Sequence, residues 1–232
     1  MSTLLLRLAG PFQAWGSSSR FNVRASEREP TKSGVVGLIA AAMGRRREDP
    51  IEDLLDIKFG VRIDQVGKIM RDFHTAHSDE TGQSFISHRY YLQDAIFLAG
   101  IEGNDLLLDT IDEALKKPMF PLYLGRRSCP PTGQITLGIR EGLGLLETLK
   151  SPEAAPWQAG IWYQKKQGKE VYLELVTDAE PSDKGAFLRG DNPISFDQSY
   201  RRYGYRNIVS GINAVLIENP FGKDIHDPME VF

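Results

Sequence analysis

Between Thr3 and Arg140 the chain alternates extended and helical patterns in an order that few folds accept. Thr3 to Ala9 carries Leu4, Leu5, Leu6 and Leu8, broken only by Arg7, and reads as a first buried strand. Gly10 to Pro30 is a long loop rich in Ser, Arg and Gly. Pro30-Thr31-Lys32-Ser33 then opens a helix, with Thr31 or Ser33 as its cap, and Val35, Val36, Leu38, Ile39 and Met43 carry it to a stop near Gly44. A short helix from Pro50 to Ile57 follows. Lys58 to Asp64 and Lys68 to Thr75 read as strands around a Gln65-Val66-Gly67 turn. Ala76 to His88 is polar, contains Gly82, and reads as a protruding loop or hairpin. Tyr90 to Gly100 is a strand. Asn104 caps a helix through Leu107, Leu108, Ile111 and Leu115, which ends before Pro118. Pro121 to Gly133 is a loop, and Ile135 to Arg140 is another strand. Strand–helix–strand–strand–helix–strand is the ferredoxin-like plan, an α+β fold that the RNA-recognition motif also uses.

Residues 1–148 therefore form the expected ferredoxin-like domain, with the protrusion at about 76–88. Leu149 to Trp157, with Pro152, Pro156 and alanines, reads as a linker to a β-rich C-terminal extension over 149–232. In that extension Gly160 to Gln164 and Glu170 to Val176 read as a hairpin, and Tyr200 to Ser210 as a further strand. Asn219 to Phe232 shows no periodicity.

Hydrophobic residues make up 41% of the 232, enough for a sizeable core. No apolar run approaches the length of a membrane span. Leu4 to Leu6 lacks the basic flank of a signal peptide. The single Cys129 allows no internal disulfide, which fits a cytoplasmic protein. The net charge of −3 argues mildly against a nucleic-acid partner, but the charge is unevenly spread. Met1 to Arg47 holds Arg7, Arg20, Arg24, Arg28, Lys32, Arg45, Arg46 and Arg47 against Glu27 and Glu29 alone. Ala114 to Arg140 holds Lys116, Lys117, Arg126, Arg127 and Arg140 with no acid. Such a chain can meet RNA on one face and protein on others.

Three segments could carry that contact. In Gly10-Pro11-Phe12-Gln13-Ala14-Trp15-Gly16 the glycines permit close backbone approach, and Phe12 or Trp15 either stacks on a base or fills the core. Thr31-Lys32-Ser33-Gly34 stands at a helix start, where unpaired N–H groups and Lys32 suit a phosphate, although an ordinary cap has the same residues. In Gly125-Arg126-Arg127-Ser128-Cys129-Pro130 adjacent arginines alternate sides of an extended loop with no local acid to pair them. Cys129 lacks a catalytic His signature. His74 and His77 are three apart, but no CxxC or HExxH pattern supports a metal site. Tyr200, Arg201, Arg202, Tyr203, Tyr205 and Arg206 form either an RNA platform or a half-buried sheet face. No P-loop, GxSxG elbow or cofactor fingerprint is present.

Four segments, Leu8 to Gly16, Pro30 to Leu38, Arg71-Asp72-Phe73-His74-Thr75 and Tyr123 to Pro130, together resemble the CasD family, the CRISPR-associated family-five subunits of type I-E Cascade. The resemblance covers residues 1–140 closely and the remainder loosely. It implies a modified RNA-recognition fold with a thumb-like hairpin. It implies a subunit that caps the 5′ handle of the crRNA. Its thumb would enter the guide–target path beside the backbone subunits, and the chain would meet the large subunit that reads target DNA. With the residue reading, it places RNA contacts at Gln13, Trp15, Lys32, Ser33, Arg45, His74, Arg126, Arg127 and Ser128, with no catalytic or metal residue and no cofactor. The alternative is a metal-independent endoribonuclease of repeat RNA, because a sister system uses its family-five protein that way.

Overall fold

The computed structural model describes residues 1–16, 23–77, 83–211 and 214–222. They form an α+β fold whose sheets are mostly antiparallel. The chain begins with β1 (Ser2–Ala9), β2 (Phe12–Gln13) and β3 (Val23–Arg24). Next come α1 (Lys32–Ala42), a 3-10 turn at Glu52–Leu54, β4 (Lys58–Gln65), β5 (Lys68–His77) and β6 (Ser84–Gln93). β7 (Ile96–Gly103), α2 (Asp105–Lys116), β8 (Thr136–Arg140) and α3 (Leu145–Lys150) follow. The last elements are α4 (Ile161–Gln164), β9 (Glu170–Leu173), β10 (Leu175–Asp178), β11 (Phe187–Ser195), β12 (Arg202–Ser210) and β13 (Val215–Glu218).

Among the described residues seven strands make the main sheet, in the order β11-β12-β10-β4-β7-β1-β8. Strands from residues 175–210 thus continue the sheet begun by residues 2–140. The apolar run of β1 is explained by burial on both faces. Leu4, Leu6 and Leu8 pack with Val36 and Ile39 of α1 and with Leu108 and Ile111 of α2. Leu5, on the opposite face, packs with Leu145 and Leu149 of α3. α3 comes this close because Gly60 and Gly100 are cross-strand partners. A Cβ on Gly100 would lie 2.7 Å from Leu145 Cδ1, and one on Gly60 3.1 Å from Leu149 Cδ1.

Under α3 lies a fully buried ion pair. The Arg62 guanidinium donates to Asp64 Oδ1 at 2.7 Å and Oδ2 at 3.0 Å, and to the carbonyls of Leu149, Ala155 and Pro156 at 3.0, 2.8 and 3.1 Å. All five guanidinium N–H groups are satisfied. Residues 149–157 are therefore tied into the core rather than acting as a linker: Leu149 and Ala155 are fully buried. The alanines and prolines there serve close packing, which composition alone does not distinguish from flexibility.

Two other expectations are corrected. Tyr90 to Gly100 is two strands in two sheets, separated at Asp94, whose φ of 55° turns the chain. Gly160 to Gln164 is helical, and Glu170 to Val176 divides between β9, paired with β13, and β10, paired with β4 and β12. β5 and β6 form a long hairpin, paired from Lys68↔Gln93 to His77↔Ser84, with β2 and β3 added along β6. The expected protrusion at 76–88 covers its turn end, and residues 78–82 lie outside the described residues. Ile69, Phe73, Phe85 and Ile86 are exposed on the hairpin.

Candidate nucleic-acid interface

The first expected segment is internal. Gln13 is fully buried, and its side-chain amide donates to the carbonyls of Leu8 at 3.1 Å and Ala95 at 2.8 Å. Its Oε1 accepts the Trp15 indole N–H at 3.0 Å, so Trp15 is locked in the core with no ring face open to a base. Phe12 packs edge-on to Tyr91, with ring centroids 6.0 Å apart. The amide and rings act on β1 and on the turn at Ala95, and thereby shape what lies above them.

The start of α1 is already occupied by an acid. Thr31 is the cap, its Oγ1 accepting the Gly34 N–H at 3.3 Å. The Lys32 N–H donates to Asp191 Oδ2 at 3.0 Å, so a carboxylate from β11 stands where the sequence suggests a phosphate. The Lys32 ammonium donates to Ile57 O at 2.7 Å and lies 3.6 Å from Asp178 Oδ2. Burial pulls its pKa down, while Asp178 opposes that shift. Arg206 ties both acids together, donating to Asp191 at 2.7 and 2.9 Å and to Asp178 at 2.5 Å. Lys32 is thus directed inward; Ser33 is also buried, its hydroxyl donating to Thr31 Oγ1 at 3.5 Å, but it borders the groove described below.

The arginine loop packs on the first segment. Gly125 has a φ of 87°, and a Cβ there would lie 1.8 Å from Ala14 O. Leu124 O accepts the Ala14 N–H at 3.0 Å. The Arg126 guanidinium lies 4.9 Å from the Tyr91 ring centre and donates to the carbonyls of Tyr90, Arg24 and Ala25 at 3.0, 2.7 and 3.2 Å. It staples residues 24–25 to β6 while keeping its edge on the groove. Arg127 and Ser128 are exposed. Cys129 is buried, and burial pushes its thiol pKa up, away from nucleophilic use.

Arg45 makes a two-point pair with Asp53, both contacts at 2.5 Å, and the Asp53 hydrogen bond raises its pKa. Arg46 and Arg47 are exposed beside it. His74 pairs with Asp72 on β5 at 2.8 Å and does not line the groove described next. Among the described residues no cluster of three or more His, Cys, Asp or Glu is arranged to hold a metal. Nor is any helix among them long and apolar enough to cross a membrane.

These elements enclose a groove of about 1420 Å³. One wall is α1 and the turn after it, with Arg45, Arg46 and Arg47; the loops give Arg24, Tyr123 and Arg126; the other wall is β11, β12 and the residue before it, with Arg201, Arg202, Tyr203 and Tyr205. Among the described residues seven arginines line it and no Asp or Glu does. Two of the expected RNA contacts, Arg45 and Arg126, meet Ser33 there. The β11–β12 wall escapes a motif reading because it comes from the end of the chain. Its signal is the interleaved rings and charges of Tyr200 to Arg206, which spacing cannot assign to a face.

A family model described as CRISPR-associated protein (Cas_Cas5) matches residues 3–209. The CRISPR system Cascade subunit CasD of Escherichia coli (strain K12) is 35% identical, covering 78% of this chain and 88% of that protein. A chain of a solved CRISPR RNA-guided surveillance complex superposes with a TM-score of 0.72 at 29% identity, covering 92% of this chain and 91% of that one. A crystal structure of a Cas protein superposes with a TM-score of 0.68 at 36% identity, covering 96% and 98%.

Proposed function

The chain belongs to the CRISPR-associated Cas5 family, and from that membership we propose that it is the non-catalytic Cascade subunit that holds the 5′ handle of the crRNA. The observation that carries this reading is the arginine-lined, acid-free groove. Single-stranded RNA presents a run of phosphates that such a groove attracts, and guanidinium forks match phosphate oxygens. Within it we assign phosphate contact to Arg45, Arg46, Arg47, Arg126 and Ser33, with Arg127 and Ser128 at the loop's exposed edge. Gln13, Trp15 and Lys32 support the walls from inside.

The architecture is consistent with the finer reading. β4, β7, β1 and β8 lie side by side with α1 and α2 on one face, as a ferredoxin-like plan requires. The β5–β6 hairpin, inserted between β4 and β7, is our candidate thumb, with His74 on it. Its exposed Ile69, Phe73, Phe85 and Ile86 suit contact with the guide path and the neighbouring backbone subunit. Contact with the large subunit, and with target DNA through the complex, follows from the same assignment.

The test is binding of single-stranded handle RNA to the full chain in EDTA, across a salt series. Log affinity should fall with log salt by about 0.7 per phosphate neutralised. Arg46→Ala with Arg47→Ala should weaken binding by roughly 1.5–3 kcal/mol for each guanidinium–phosphate hydrogen bond removed. A flat salt response with unchanged affinity rejects the groove. A discrete cut carrying a 2′,3′-cyclic phosphate would make the protein a nuclease instead.

A further inference from the structure

The groove's two walls differ in chemistry. Beside α1 the charged groups are Arg45, Arg46 and Arg47, whereas the β12 side adds the rings of Tyr203 and Tyr205 to Arg201 and Arg202. Tyr203 and Tyr205 are two residues apart on one strand and so share a face. They are 41% and 74% exposed, and both line the groove. Neither phenol hydroxyl has a hydrogen-bond partner among the described residues. Arg206, on the opposite face of the same strand, is buried against Asp191 and Asp178, which fixes the strand beneath the rings.

A seat for one ring is built into the neighbouring strand. Gly190 of β11 lies beneath Tyr205, where a Cβ would come 3.3 Å from ring Cε1. With only hydrogen there, the ring packs beside Gly190 while staying largely exposed. Nearby, the Arg202 guanidinium lies 4.2 Å from the Tyr200 ring centre, so the strand's entry is itself a cation–π stack. Exposed rings on a fixed strand, facing guanidinium groups with no acid between, match the two halves of a nucleotide: a base stacks and a phosphate pairs.

We propose that Tyr203 and Tyr205 are a base-stacking platform, so that the groove takes RNA single-stranded, its bases turned onto β12 and its phosphates toward α1. This rests on the assignment of the groove to RNA and adds the orientation of the strand within it. A duplex, whose bases are already stacked and paired, offers these rings no free base.

The full-length chain should be titrated with two RNAs of equal length: the single-stranded handle, and the same ribose-phosphate backbone with every base removed. The probe pair separates stacking from charge. Tyr203→Leu with Tyr205→Leu should weaken the base-bearing strand at least about tenfold and leave the baseless strand within about twofold. The corresponding Phe pair should bind both strands as the native chain does. Equal weakening on both strands would overturn the platform, because the rings would then hold the wall and not the bases. Unchanged RNA binding with failed assembly with the other Cascade subunits would also overturn it, placing the rings against protein. Native chain that binds the handle with a phosphate-like salt slope but ignores both substitutions leaves the groove assignment standing and removes the platform. If the native chain binds neither strand, both readings fall.

Discussion

Replacing Arg62 by Met tests whether residues 149–157 are held in place from within the core. The change removes a fully buried guanidinium but leaves a side chain of similar reach. It strands the Asp64 carboxylate and withdraws donors from the carbonyls of Leu149, Ala155 and Pro156. Removing one member of a buried ion pair costs about 3–5 kcal/mol. In a chain of this size each kcal/mol lowers the melting midpoint by about 2–4 °C, so the fall should be roughly 6–20 °C. Urea unfolding followed by tryptophan fluorescence reads it directly, since the Trp157 indole donates to Asp64 O at 2.7 Å. The acid supplies a second, signed readout. Burial already pushes the Asp64 pKa up against the pull of Arg62. Without Arg62 the folded pKa rises further above the unfolded one, so the folded state binds more protons and loses stability as pH climbs through that window. The variant's deficit should therefore be larger at about pH 8 than at about pH 5. Adding Asp64→Leu should restore part of the stability by removing the stranded carboxylate, while the carbonyls of Leu149 and Ala155 and the Gln158 N–H remain unpaired at about 1–3 kcal/mol each. A single-variant cost under about 1 kcal/mol, or a double variant no better than the single, refutes the reasoning.

Gly125→Ala should cost on the order of 3 kcal/mol or more, because the methyl meets Ala14 O at a positive φ. Proteolysis should nick the 121–134 loop and the thermal midpoint should drop; a native-like midpoint would contradict the packing described. Replacing residues 78–86 by a short Gly-Ser linker should leave the midpoint within about 2 °C, since Phe85 and Ile86 are exposed, while assembly or target-DNA retention by the guide-bound complex declines. Normal assembly and target binding would make the hairpin end idle.

Much of the first 140 residues is legible because their patterns are local. β1, α1, α2 and β8 fall close to the positions that periodicity and capping indicate, down to Thr31 and Asn104 as caps. Sequence misleads where a single residue or a distant partner decides. Asp94 splits one apparent strand through a left-handed turn that its type permits but does not announce. Lys32 has the sequence of a phosphate site, and only Asp191 in the folded chain shows that the site is filled from inside. Arg126 stands out for lack of nearby acids, yet its partners are carbonyls, which sequence does not label. The groove gathers basic residues that no single window contains.

The Lys32–Asp191 hydrogen bond spans 159 residues, and this sets an order of events during synthesis. A nascent chain that has emerged only as far as β8 has the arginines that follow α1 and those of the loops but no opposite wall. It also lacks the carboxylate that neutralises the start of α1. Until Asp191 is made, the Lys32 N–H lacks the carboxylate to which it donates in the folded chain. Arrival of β11 and β12 supplies it and, in the same step, completes the groove. The groove is therefore complete only once the chain has been made through β12.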